Sequence, residues 1–190
     1  MIKISTWNVN SIKSRYESFA KYVQKHQDDI ILLQEIKCLN ENFPHQQIQD
    51  LGYNIALKGQ KTYNGVAILS KYPIDEVIDS LPNLNCQEDN QARYIEAVIS
   101  TPNKPVRVAS IYVPNGGSEL KEGQKNHETE KFTYKMHFFN RLQAHLESLF
   151  ALDEIAIFGG DFNVAIDEID VYDPKNLKNT ICFHDFERQK

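Results

Sequence analysis

The stretch Glu154-Ile155-Ala156-Ile157-Phe158-Gly159-Gly160-Asp161-Phe162-Asn163 constrains this chain more than any other. Ile155 to Phe158 is a continuous apolar run, and two glycines follow it. The pattern predicts a buried strand ending in a turn. Asp161 and Asn163 come next, spaced i, i+2. A carboxylate and an amide are thus carried to the mouth of a sheet. Glycines there let the backbone turn and let a ligand approach. Taken alone, Asp-x-Asn after a strand is an ordinary Asx turn. Two other strands of this chain end in the same way, and that recurrence gives the stretch its weight.

The first is Ile2, Ile4 and Thr6, alternating with Lys3 and Ser5 and running into Asn8 and Asn10. The second is Ile30-Ile31-Leu32-Leu33, apolar throughout and so expected to be covered on both faces. It ends in Gln34-Glu35. Between them Tyr16, Phe19, Ala20 and Val23 mark one face of a helix over Ser14 to His26. A short helix is expected over Asn42 to Gln49. Strands are expected at Tyr53–Leu57, Gly65–Leu69 and Asp75–Ile78. A hairpin joins Ile95–Ile99 to Val106–Ser110 through Pro102 and Pro105. The second arm of that hairpin leads to Tyr112. Pro82 to Asn90 and Ser118 to Asn126 read as polar loops. Phe132, Met136, Phe139, Leu142, Leu146 and Leu149 step by three or four, which predicts a long amphipathic helix. An irregular stretch opens at Tyr172-Asp173-Pro174, and Phe183 to Lys190 is an incipient helix. The order β-α-β, consecutive strands, then α-β is not the even alternation of a dinucleotide-binding sheet. No G-x-G-x-x-G or G-x-x-x-x-G-K follows a strand. A mixed sheet covered by helices fits better.

With 190 residues the chain accommodates one domain with a real core. A net charge of −5 argues against a generally basic nucleic-acid coat but leaves room for a local basic rim. Cys38, Cys86 and Cys182 are scattered, which argues against a disulfide framework or structural zinc site and suits a reducing cytoplasm. No apolar run is long enough for a membrane span.

Asn8, Asn10, Glu35, Asp161 and Asn163 are hard oxygen ligands without a neighbouring histidine or cysteine. That chemistry suits Mg²⁺ or Mn²⁺ over zinc. The histidines belong to no Ser-His-Asp grouping. His137 and His145 lie eight apart on the long helix with no third ligand. His26, His45, His127 and His184 read as surface or loop residues. The series Lys121, Lys125, Lys131, Lys135 is interleaved with glutamates and reads as a solvated face in preference to a phosphate track.

Five motifs in order now resemble a known family: Thr6-Trp7-Asn8-Val9-Asn10-Ser11-Ile12, Leu33-Gln34-Glu35-Ile36-Lys37, Tyr63-Asn64-Gly65-Val66-Ala67-Ile68, Ser110-Ile111-Tyr112-Val113-Pro114-Asn115 and Gly159-Gly160-Asp161-Phe162-Asn163. They look like those of exonuclease III-type apurinic/apyrimidinic endonucleases, in the endonuclease/exonuclease/phosphatase superfamily. The resemblance implies a four-layer α/β/β/α sandwich of the DNase I-like type. It implies an Mg²⁺-dependent nuclease, with Mn²⁺ as substitute, that hydrolyses phosphodiesters at abasic sites and 3′ ends of double-stranded DNA. It further implies a cytoplasmic monomer. It assigns Tyr112, Asp161 and Asn163 to catalysis, and Asn8, Glu35, Asp161 and Asn163 to the metal site. Asn10, Arg15 and Asn115 are assigned to substrate contact. The family carries a further aspartate and a Ser-Asp-His motif beyond the last matched position, and neither is present here. The expectation is a single domain over 1–190 lacking its C-terminal part, inactive and marginally stable as this polypeptide. A superfamily phosphatase or a non-catalytic remnant are the alternatives.

Overall fold

The computed structural model describes residues 1–82, 89–117, 125 and 129–190. The expected loops at Pro82–Asn90 and Ser118–Asn126 fall largely outside the described residues, as do Lys121 and His127. The chain divides into two compact units. One comprises Met1–Tyr112 and Leu149–Asp161, the other Val113–Ser148 and Phe162–Lys190.

The first unit opens with β1 (Ile4–Asn8), α1 (Ile12–His26) and β2 (Ile30–Gln34). Helix α1 starts two residues before the expected Ser14. Ser11 caps it by accepting the amide of Ser14, and Ile12 already anchors its buried face. At the other end Gln27 turns left-handed and donates its amide to Val23. Strands β1 and β2 are parallel. β2 is antiparallel to β4 (Val66–Ser70), and β4 to β3 (Asn54–Lys58), so the sheet order is β1-β2-β4-β3. In place of one helix over Asn42–Gln49 there is a 3₁₀ turn, Asn40–Asn42, and a helix α2, His45–Asp50. Pro44 separates them, because a proline interrupts a helix anywhere but its first turn.

All five residues of β2 are buried, as its unbroken apolar run predicts. Its side chains alternate between two cores. Ile31 and Leu33 face Phe19, Val23 and Ile48 of the two helices. Ile30 and Leu32 face a second sheet through Ile95, Ala97, Ile99, Val106 and Val108. That sheet has the order β5-β6-β7-β8, built from Ile74–Ile78, Tyr94–Ile99, Val106–Tyr112 and Ile155–Asp161. The β6–β7 hairpin is as expected, and β7–β8 is parallel. Helix, sheet and sheet are thus stacked within this unit.

Two buried polar clusters sit in the stack. Gln34 donates to Ser110 Oγ at 2.9 Å and to Thr6 Oγ1 at 3.1 Å, and Ser110 donates to the Leu33 carbonyl at 2.8 Å. This bridge fixes one sheet against the other directly below Glu35. Farther along, Arg107 holds Glu96 at 2.5 Å and Glu154 at 2.7 Å, and Tyr94 also donates to Glu96. Burial and the neighbouring Glu96 carboxylate push the Tyr94 phenol far above its ordinary range.

Strand β8 departs from expectation twice. Ile155 is 50% exposed and Ile157 37%, although the run reads as buried. Among the described residues β8 pairs with β7 alone, so it is an edge strand with one unpaired edge. The glycines also do not end the strand, which runs through them to Asp161. Gly160 is needed for packing: a Cβ there would collide with the Ile111 backbone.

The second unit holds most of α3 (Glu130–Phe150) and the tail, with α4 (Pro174–Leu177) and α5 (Asp185–Arg188). The buried face of α3 is Phe132, Lys135, Phe138, Leu142 and His145. The helix is as expected, but its inner face is rotated by about one residue from the expected stripe. Lys135, read as part of a solvated face, is fully buried. His145 is buried while His137 is exposed, so the two do not share a face. His184, read as a surface residue, is buried and caps α5 by accepting the Phe186 amide on Nδ1. Asp173 caps α4 through the Asn176 amide, which gives order to the stretch read as irregular.

Candidate active site

The ends of β1, β2, β7 and β8 meet in the first unit. Register places Asn8 opposite Gln34 and Tyr112 opposite Asp161. The loops beyond β1 and β2 stay paired, with Val9 donating to Gln34 O at 2.9 Å and Ser11 to Glu35 O at 2.7 Å. Ile36 and Lys37 donate to Gly65 and Asn64 at 3.1 and 3.0 Å. Glu35, Lys37, Asn10 and Asn64 all have left-handed φ, between 44° and 54°. Such backbone strain persists where surrounding bonds over-determine it, and it clusters at functional sites.

Glu35 is the centre of the arrangement. Asn8 Nδ2 donates to Glu35 Oε1 at 2.7 Å and to Asp161 Oδ2 at 2.8 Å. One amide thus ties two carboxylates that arrive on different sheets. The Tyr112 hydroxyl donates to Glu35 Oε1 at 2.9 Å. Lys37 Nζ lies 2.7 Å from Glu35 Oε2 and 2.5 Å from Asn10 Oδ1. Burial alone would raise the Glu35 carboxyl, but the donors Asn8, Lys37 and Tyr112 outweigh it and hold it below the usual carboxylate range. The opposite holds for Tyr112. Burial, the bond to Glu35 and its charge push the phenol up to about 12. Tyr112 is therefore a protonated donor at neutral pH, and Glu35 an anion.

Arg93 completes the group. Its guanidinium carbon is 4.8 Å from the centre of the Tyr112 ring, a cation–π distance. Gln91 Oε1 holds Arg93 Nε at 2.7 Å and also accepts from Asn64. Asn64 belongs to the motif before β4, so that motif supports Arg93 and, through it, Tyr112. Arg15 is exposed in the first turn of α1.

Asn115 and Asn163 fall in the second unit. Asn163, with φ 49°, donates its Nδ2 to Val113 O at 2.8 Å. Asn115 Oδ1 accepts the Gly117 amide at 3.1 Å.

Of the residues singled out from sequence, the first unit therefore brings together Asn8, Asn10, Glu35, Tyr112 and Asp161. Sequence reasoning missed Lys37 and Arg93. Lys37 lay inside a quoted motif, and its i, i+2 spacing from Glu35 was the available signal. Arg93 precedes β6 with no pattern to mark it.

Residues 5–186 match the Endonuclease/Exonuclease/phosphatase family. The chain belongs to that family. Exodeoxyribonuclease III of Haemophilus influenzae is 33% identical over 170 residues, which is 90% of this chain and 60% of that protein. A 3′ phosphatase from Neisseria, solved bound to a product DNA hairpin, is 34% identical with a TM-score of 0.88, covering 100% of this chain and 68% of that one. An AP endonuclease from Archaeoglobus fulgidus is 34% identical with a TM-score of 0.86, over 100% of this chain and 68% of that one. The chain thus spans 60% to 68% of the length of these relatives. The fold of the family, two sheets in a mixed α/β arrangement, is the one observed. Among the described residues no helix is long and apolar enough to cross a membrane.

Proposed function

We propose that this family member is a phosphodiester-cleaving enzyme of DNA repair, acting at abasic sites and 3′ ends of double-stranded DNA. The observation that carries the reading is the Asn8 amide shared by Glu35 and Asp161, with the Tyr112 hydroxyl on the same Glu35. Two carboxylates and a protonated phenol on one rigid framework are what hydrolysis of a phosphate ester needs. The relatives named exodeoxyribonuclease III and AP endonuclease support DNA as the substrate. Abasic specificity, a monomeric state and a cytoplasmic location belong to this same reading.

The donor chemistry fits a divalent cation. The Glu35 and Asp161 carboxylate oxygens converge on the Asn8 amide, and a lysine ammonium rests on Glu35 Oε2, so oxygen ligands and a place for positive charge occur together there. Glu35 and Asp161 would hold Mg²⁺, which prefers oxygen and takes few protein carboxylates. Asn8 and Asn163 are the further metal contacts in this reading, and Mn²⁺ is the natural substitute. The cation would supply charge neutralisation at the phosphate and leaving oxygen.

The chain's own groups do the rest. Asp161 accepts the proton of the attacking water as its oxygen bonds to phosphorus and the bond to the leaving oxygen breaks. Tyr112 donates to the phosphate as charge builds. Asn163 orients water and phosphate. Asn10, Arg15 and Asn115 contact the strand. An abasic sugar leaves the duplex at little cost because no base must be unstacked.

The test is cleavage of an abasic duplex with Mg²⁺, run beside an inositol-phosphate substrate. Of the two substrates only the DNA is expected to be turned over, by this polypeptide or, if the expected inactivity holds, by a longer version of it. In that assay Asp161→Asn should cost more than Tyr112→Phe, since the first removes a proton acceptor and the second one donor, worth roughly a hundred- to a thousandfold. Hydrolysis of the inositol substrate in preference to DNA would overturn the reading.

A further inference from the structure

Lys135 is a fully buried lysine in the second unit, and nothing in the reaction above uses it. Its ammonium has three N–H bonds to give. One goes to Glu187 Oε1 at 2.7 Å, one to the Asn163 carbonyl at 2.6 Å and one to the Asn115 carbonyl at 3.3 Å. The side chains of Lys135 and Glu187 are both 0% exposed. Glu187 is itself held, because Oε2 accepts the His184 amide at 3.0 Å.

The two carbonyls are not arbitrary. Asn163 is two residues beyond Asp161, and Asn115 three beyond Tyr112. Lys135 therefore grips both segments that leave the strand ends of the candidate site. Asn163 has left-handed φ, 49°, so its conformation needs support from outside. Its side chain in turn reaches Val113 O, on the segment leading to Asn115. The fit around the lysine stem is close. Gly116, at φ 74°, could not carry a Cβ without approaching Lys135 Cδ to 2.8 Å. A buried ion pair is poor value as a source of stability, since well-packed apolar residues serve as well. What apolar residues do not supply is a set of aimed donors.

We propose that Lys135 is a positioning residue. It fixes the backbone at Asn163 and Asn115, and so sets the direction of the Asn163 amide. The proposal rests on the reading of Asn163 as the residue that orients water and phosphate.

The experiment compares wild type with the double variant Lys135→Met/Glu187→Leu, which removes both charges together. Two readouts are taken: the side-chain amide resonance of Asn163, and kcat and KM on an abasic duplex. The expected result is a cooperative thermal transition, a shifted Asn163 amide signal, and kcat lower by about a hundredfold with KM little changed, as for a misplaced catalytic group. A folded double variant with an unmoved amide and wild-type kcat overturns the proposal. Should the double variant not fold, Lys135→Arg decides. It keeps the charge but replaces three tetrahedral donors with a planar fork, so the amide signal must move, and an unmoved signal overturns the proposal. If the wild type cleaves no DNA, the Asn163 resonance alone still decides what Lys135 does.

Discussion

Glu35 has three donors on two oxygens: the Asn8 amide and Tyr112 hydroxyl on Oε1, and the Lys37 ammonium on Oε2. Glu35→Gln keeps the shape and removes the charge. It is expected to weaken Mg²⁺ binding while the unfolding transition stays cooperative, and calorimetric titration with equal affinity in both proteins would refute the metal assignment. The same cluster makes Tyr112 a late-titrating phenol. Its folded value, about 12, lies above the ordinary value near 10. The protonated form is the one favoured by folding. That contribution to stability is complete below the ordinary value and is lost as pH rises through about 12. Burial and the charges of Asp28 and Asp29 also push Tyr53 up to about 12. Tyrosinate absorbance should therefore rise in an early and a late step, and Tyr112→Phe should shrink the late one. A loss from the early step would mean that the Tyr112 hydroxyl is open to water and not held on Glu35. The residues of this cluster that were legible in the sequence are those at ends of apolar runs: Asn8, Glu35, Tyr112 and Asp161. Lys37 was marked only by its i, i+2 spacing from Glu35, and Arg93 was not marked at all, because a charged side chain carries no sign of whether it faces water or a partner; the same holds for Lys135 in the second unit.

Elements were legible where one periodicity holds over their whole length. Strand β2 reads as buried on both faces and is. The β6–β7 hairpin follows from alternation broken by two prolines. Helix α3 shows the limit, since its period was clear but not its phase. The expected stripe is the more apolar of the two, yet the buried face carries Lys135 and His145, and the buried Glu187 partner of Lys135 is something that the helix pattern cannot display. Strand β8 shows another limit: an apolar run does not reveal whether one edge or both edges are paired. The β6–β7 pair carries the Glu96–Arg107 contact, with Glu96 fully buried. Arg107→Met would leave that carboxylate without its cation. The cost expected is roughly 3 to 5 kcal/mol, as for other buried pairs broken on one side. Urea unfolding measures it. The variant should regain stability on acidification, because protonating Glu96 removes the stranded charge. A loss under about 1 kcal/mol at neutral pH, in the range of an exposed pair, would show that the cluster is more solvated than its burial indicates.

At the scale of the whole molecule, a net charge of −5 must be reconciled with the polyanionic substrate proposed above. Attraction has to come from few cations placed where the strand passes. In the proposed reading three cations of the first unit serve this role. Arg93 stacks on Tyr112, Lys37 bridges Asn10 and Glu35, and Arg15 stands in the first turn of α1, whose Ser11 amide is bonded to Glu35 O. Each phosphate neutralised on duplex DNA contributes about −0.9 to the slope of log affinity against log salt, so three contacts imply a slope of about −3. The salt dependence of binding to an abasic duplex should fall near that value. Each of Arg15→Ala and Arg93→Ala should make the slope shallower by about one. Lys37 is different, because its ammonium is already shared with Glu35, and Lys37→Ala should alter Mg²⁺ affinity as well as the slope. A slope steeper than about −6 would require twice as many phosphate contacts. It would then place the electrostatic footprint beyond the strand-end cluster, with basic residues of the second unit as the next to be replaced.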